Sequence, residues 1–187
     1  MAGLTLFHDY TSPGSAVAVL RLQRLADEGL AVAFEGFEAI GLDTTLPVTL
    51  ETVGGVHDLA AAAAAEGLEL RRPPALPPTA KAHLVGSVAE DAGLGGSWRS
   101  TCYRAFWTDG ADIGDPTILL DLALSAGLDP VVVSAALADR RLLAAVRRLT
   151  NAHRRNGVGG VPVILAARTL VPGLLPEGEL RALADLA

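Results

Sequence analysis

Residues 3–25 read G-L-T-L-F-H-D-Y-T-S-P-G-S-A-V-A-V-L-R-L-Q-R-L. An alternating apolar run, Leu4 and Leu6 with Phe7 beside them, stops at His8-Asp9-Tyr10-Thr11, and a helical pattern carrying Leu20, Leu22 and Leu25 begins after it. That is a strand running straight into a helix. At the junction Ser12 suits the N-cap and Pro13 the first helical position, where proline's missing N–H costs nothing. Unpaired backbone N–H groups and the positive end of the helix dipole then face whatever sits beside Ser12. The turn is therefore a site for an anion or a thiolate.

The chain of 187 residues has room for one domain with a substantial core, or one domain carrying an insertion. It is 50% hydrophobic and 19% charged, the composition of a folded globular protein. A net charge of −6 and a pI near 5.1 argue against a nucleic-acid partner, which needs a surplus of Lys and Arg. The alanine run 60–65 is too short for a membrane span and is flanked by Asp58 and Glu66, so no membrane partner is expected. The first strand begins close to Met1 with no charged-then-apolar leader ahead of it, and a cytoplasmic location is the expectation. Cys102 is the single cysteine, which excludes an intramolecular disulfide and a dithiol couple.

Outward from the opening stretch, Gly29 breaks the first helix and residues 30–37 alternate as a second strand, making a βαβ unit with parallel pairing. From about Thr49 to Arg140 the pattern turns helical, with helices expected at 56–66, 79–91, 96–108, 115–125 and 130–139 around an extended, proline-dense segment at 71–78. A helix over 139–156 carries Arg140-Arg141, Arg147-Arg148 and Arg154-Arg155 on nearly one face, read as a solvated stripe. Leu142, Leu143, Val146, Leu149 and His153 take the other side. Gly157-Val158-Gly159-Gly160-Val161-Pro162 then opens an apolar strand; Thr169-Leu170-Val171 returns it as a hairpin, and a closing helix starts at Pro176-Glu177.

Phe7-x-Asp9-Tyr10-x-x-Pro13 at a strand-to-helix turn resembles the active-site entry of the DsbA-like branch of the thioredoxin superfamily. There the usual version carries Cys-x-x-Cys where this chain has Ser12-Pro13-Gly14-Ser15. Ser-Pro-x-Ser is itself similar to the serine version in two glutathione-using relatives, the kappa-class glutathione transferases and the 2-hydroxychromene-2-carboxylate isomerases. Ala111-Asp112-Ile113-Gly114-Asp115-Pro116 and Gly127-Leu128-Asp129 resemble the D-I-x-D-P … G-L-D run of the DsbA-like insertion. Leu76-Pro77-Pro78-Thr79-Ala80-Lys81-Ala82-His83 resembles the family's P-N-T-x-x-A-H helix start, with Pro78 in place of asparagine. Gly157-Val158-Gly159-Gly160-Val161-Pro162 resembles the superfamily's G-V-x-G-V-P signature, which implies a cis Val161-Pro162 bond and a Val161 backbone that pairs with substrate; a trans proline opening the strand is the alternative. The resemblance implies an α/β protein of thioredoxin-like fold, β-α-β … α-β-β-α, from residues 1–48 and 140–187, with 49–139 an inserted α-helical subdomain.

Dithiol–disulfide exchange needs a thiolate and a second, resolving sulfur. Ser12 and Ser15, at the positions of the lost cysteines, supply neither, so that activity is expected to be absent from a chain of oxidoreductase lineage. Cys102 reads as a small core residue. Serine retains a use when the thiolate comes from outside. The resemblance implies that Ser12 donates to the sulfur of glutathione, with Tyr10, Pro13, Val161 and Pro162 lining the substrate or cofactor site. Against it stand Pro78 and Gly173-Leu174-Leu175, where the glutathione enzymes usually carry a Ser-Asp pair for the γ-glutamyl end. A non-catalytic module binding a peptide or small ligand in the same cleft is the remaining alternative. His8 and Asp9 flank the site as a base or as buttresses of the turn. The four histidines show no ligand spacing, so no metal is expected, and glutathione is the one cofactor implied. A homodimer is left open.

Overall fold

A helix between two strands carries the chain back along the sheet and favours parallel pairing, and β1 (Leu4–His8) and β2 (Val32–Gly36), connected through α1 (Pro13–Asp27), pair so from Leu4 opposite Val32 to His8 opposite Gly36. The computed structural model describes residues 3–187. Near its end, β3 (Val163–Ala166) and β4 (Thr169–Pro172) form a hairpin turning at Ala167, which takes a φ of 52°. The sheet order is β2-β1-β3-β4. β1 and β3 run antiparallel with Phe7 opposite Val163. That register sets the turn following β1 beside the loop preceding β3, where Val161 and Pro162 lie.

Seven further helices follow among the described residues: α2 (Leu50–Ala65), α3 (Ala80–Asp91), α4 (Gly95–Trp107), α5 (Pro116–Ser125), α6 (Pro130–Ala138), α7 (Arg140–Arg155) and, after the hairpin, α8 (Glu177–Leu186). Their starts follow from capping chemistry. Asp115 and Asp129 accept from the N–H groups of Thr117 and Val131 at 2.7 and 2.8 Å, each ahead of a proline. Asp139 ends α6 and caps α7. On α1, Val17, Val19, Leu22 and Leu25 are buried against Leu4 and Leu6 of the sheet. Each such side chain contributes about 1.5–3 kcal/mol of burial. Trp98, Tyr103, Phe106 and Trp107 of α4 join the same core.

Two expectations are corrected. α2 begins at Leu50 rather than near Val56, because Thr49 accepts from Thr52 N–H at 3.1 Å and the helix carries Gly54 and Gly55 inside it. A Cβ on Gly55 would lie 2.7 Å from Pro13 Cγ, so the missing side chain lets α2 rest on the opening turn. The arginines of α7 are not all solvated. Arg147 pairs with Asp43, and Arg154 donates to the carbonyls of Glu38 and Ala39 at 2.8 and 3.0 Å, its guanidinium 5.1 Å from the centre of the Phe37 ring. One row of the stripe thus fastens the loop after β2, whose buried carbonyls need donors. Arg140, Arg148 and Arg155 stay exposed. On its apolar side, Leu142 and Leu149 border a cavity rather than filling the core. No helix among the described residues is long and apolar enough to cross a membrane.

Gly36, at the end of β2, leaves no room for a side chain: a Cβ there would meet His83 Nδ1 at 2.5 Å. Gly36→Ala should destabilise the protein by about 1–3 kcal/mol through overpacking, read as a lowered urea midpoint at unchanged slope.

Candidate functional site

The turn after β1 is built from two serines with different duties. Ser12 is the N-cap of α1, at φ −93° and ψ 119°, and its Oγ accepts from Ser15 N–H at 3.1 Å. Ser15 is fully buried and its Oγ accepts from Asp9 N–H at 3.3 Å, which locks the turn from inside. Having accepted rather than donated, the half-buried Ser12 hydroxyl keeps its proton for a ligand. The backbone N–H of Gly14 has no partner among the described residues. Two donors and the positive helix end therefore converge on the outer side of the turn.

The Val161-Pro162 peptide bond is cis and lies against this turn. A Cβ on Gly14 would stand 3.1 Å from Pro162 Cδ and 3.9 Å from Ser12 Oγ, so glycine permits the close approach. The Pro162 carbonyl accepts from Gly173 N–H at 2.9 Å, whereas the N–H and C=O of Val161 make no hydrogen bond among the described residues. They border a groove of about 420 Å³ walled by Gly157, Gly159, Gly160, Leu170 and Gly173 with Val161 itself. Its walls carry no charged side chain. Ser12, Pro13, Val161 and Pro162 are thus brought together by the fold.

The other candidates face elsewhere. Tyr10, expected in the cleft, is 1% exposed and packs among His83, Tyr103 and Trp98; its carbonyl accepts from Trp107 Nε1 at 3.0 Å. Asp9 is a buttress: its Oδ2 accepts from Ala39 N–H at 2.8 Å, and its Oδ1 lies 3.4 Å from His83 Nε2. His8 Nδ1 stands 2.9 Å from the Tyr103 hydroxyl, which in turn donates to the Asp9 carbonyl at 3.2 Å. A hydroxyl has one proton, so both contacts are satisfied when His8 carries its proton on Nδ1 and donates it. Burial, then the charges of His83 and Arg99, holds His8 well below the ordinary value of 6.5 and keeps it neutral. Burial likewise pushes the Tyr10 and Tyr103 hydroxyls up. His83, Arg99 and Tyr103 belong to this cluster but lie 73 to 95 positions from Tyr10 and His8, and no local spacing in the sequence joins them. The A-H of the family's helix start was the only signal touching one of them. No three His, Cys, Asp or Glu side chains among the described residues gather as a metal set. Cys102 is fully buried and its thiol is pushed up, first by burial and then by Asp9, so it offers no thiolate.

Residues 4–182 match the family model of the DSBA-like thioredoxin domain, and the chain belongs to that family. No curated protein matches it. Among solved structures, a probable DsbA oxidoreductase from Streptomyces coelicolor is 26% identical with a TM-score of 0.83, over 98% of this chain and 88% of that one. A 2-hydroxychromene-2-carboxylate isomerase shares 17% identity and a TM-score of 0.80, over 97% and 93% of the two chains. The cytosolic disulfide reductase DsbM from Pseudomonas aeruginosa, solved with GSH, shares 17% identity and a TM-score of 0.67, over 98% of each. The last two likenesses show the common fold.

Cys102 should be silent to a thiol-specific reagent in the native state and should react as a single thiol on unfolding in urea. For His8, the unfolded chain binds a proton that the folded state refuses between the lowered folded value and 6.5. Stability should therefore fall as pH drops below about 6.5, and His8→Gln, which retains a donor for Tyr103, should flatten that slope in urea titrations across pH.

Proposed function

We propose that this DsbA-family chain lacks dithiol–disulfide exchange and uses the Ser12 turn to hold the thiolate of glutathione, in a cytoplasmic isomerase or transferase. The observation carrying this reading is the Ser12 hydroxyl, fixed as an acceptor toward Ser15 N–H and so free to donate outward. Disulfide exchange has no sulfur at Ser12 or Ser15, and Cys102 is sealed in the core. An external thiolate meets the conditions the turn offers: Ser12 O–H and Gly14 N–H as donors, the α1 dipole behind them, and no carboxylate on the groove walls. Val161 would pair through its free N–H and C=O with the cysteinyl backbone as an added strand does.

When bound, glutathione supplies a nucleophilic thiolate; the chain's part is to hold and orient it. Pro78 and Gly173-Leu174-Leu175 stand where the glutathione enzymes use asparagine and a Ser-Asp pair, so the γ-glutamyl end is held differently here. DsbM, of the same fold, was solved with GSH, which accords with this ligand. A second reading, capture of an extended peptide without catalysis, is favoured by the uncharged walls of the groove.

Calorimetry should show glutathione binding at millimolar concentration or tighter, and Ser12→Gly should weaken it about tenfold, since glycine caps a helix within a few tenths of a kcal/mol of serine. Disulfide-reductase turnover should stay at background. Unchanged binding in Ser12→Gly, or no binding at all, rejects the glutathione reading; a peptide that then shifts the Val161 amide resonance selects the second.

A further inference from the structure

A second cavity, of about 350 Å³, lies between the free edge of β2, α3 and the first part of α7, and neither Ser12 nor the Val161-Pro162 loop borders it. Its volume falls in the range of small-molecule sites, about 300–1,000 Å³. Its walls are of two kinds. Phe34, Leu84, Leu142, Ala145, Val146 and Leu149 make an apolar body. The base is polar: His8, Tyr10, His83 and Arg99, each more than nine-tenths buried.

The base is not self-satisfied. Arg99 Nε is buried without a hydrogen-bond partner, whereas His83 Nε2 is turned to Asp9 Oδ1 at 3.4 Å. With Nδ1–H committed to Tyr103, neutral His8 presents Nε2 as an acceptor without a partner among the described residues, and the Tyr10 hydroxyl, whose oxygen faces the Trp98 indole N–H, keeps its own proton to donate. Buried polar groups are ordinarily paired, and a cavity that keeps several unpaired at one end is built for a ligand or for water. A hydroxyl fits both atoms at once, donating to His8 Nε2 and accepting from Tyr10 O–H.

The mouth decides the charge. Glu35, Glu90 and Asp91 stand around it. The cation Arg99 is already engaged: Glu90 and Gln23 take its terminal nitrogens, and its guanidinium lies 3.9 Å from the centre of the Phe34 ring. An anion would meet the carboxylates of Glu35 and Asp91, while the charge of Arg99 is already balanced by Glu90. A buried ammonium would face Arg99. We infer that this cavity is a second binding site, taking an uncharged, apolar small molecule with one hydroxyl, of the phenol or alcohol class. Glutathione, with two carboxylates, is excluded from it, so the site is independent of the one at Ser12.

Calorimetry with para-cresol, toluene and para-toluate tests this on the intact chain. para-Cresol should bind saturably, toluene about tenfold more weakly for want of the two hydrogen bonds, and para-toluate not at all. Amide resonances of Phe34, Gly36 and Ser87 should shift with para-cresol, and saturating glutathione should not displace it. Ala145→Phe fills the cavity from the half-exposed face of α7 and should abolish binding; His8→Phe should reduce para-cresol to the affinity of toluene. Lack of saturable para-cresol binding, equal binding of para-toluate, an unaffected Ala145→Phe variant, or competition by glutathione would each overturn the site.

Discussion

Asp9 is the residue on which the arrangement of this molecule depends. Placed directly after β1 and 1% exposed, it is bonded through its N–H, its carbonyl and one carboxylate oxygen, with Oδ1 lying 3.4 Å from His83 Nε2. Its N–H donates to Ser15 Oγ, its carbonyl accepts from Ser12 N–H at 3.1 Å and from the Tyr103 hydroxyl at 3.2 Å, and its carboxylate accepts from Ala39 N–H at 2.8 Å. One residue therefore ties together the start of α1, the middle of α4 and the loop after β2. A buried carboxylate is costly unless it is paired, and here its pairing coincides with the positioning of the turn.

What the sequence discloses is whatever is decided locally. The cap at Ser12, the proline behind it and the cap-proline pairs at Asp115 and Asp129 act within a single helical turn, and the helices start where those residues place them. α2 defeats this reading because its two glycines look like breakers. Gly55 is in the helix for a reason that lies in Pro13, forty-two positions away. Arg147 and Arg154 show the same limit. Their periodicity describes a solvated face, yet their partners, Asp43 and Glu38, are on another element.

The two ends of the site differ for a related reason. Ser12, Pro13, Val161 and Pro162 belong to motifs whose backbone geometry carries their meaning, and the β1–β3 register brings them side by side. Tyr10 carries no such instruction. Two residues before the cap, its side chain is directed by α3 and α4, where His83, Trp98 and Tyr103 form an aromatic nest more favourable than the open groove. The polar cluster beneath it depends on residues from β1, α3 and α4, whose meeting is a property of the tertiary fold alone.

The Ser12 turn and the cavity share the segment from His8 to Ser12 but have opposite demands. The turn needs donors at a positive helix end, whereas the cavity needs a neutral imidazole acceptor beneath an acidic mouth. Both are met because the segment's backbone is pinned between them. Asp9 holds the turn from one side through Ser15, and Tyr103 holds His8 in one tautomer from the other. Coupling between two ligands would require this segment to have a second arrangement that one of them prefers. A strand end whose Asp9 N–H, carbonyl and Oδ2 are all bonded has little reason to populate one. The physical consequence is preorganisation of both proposed sites, whose donors and acceptors are already in place.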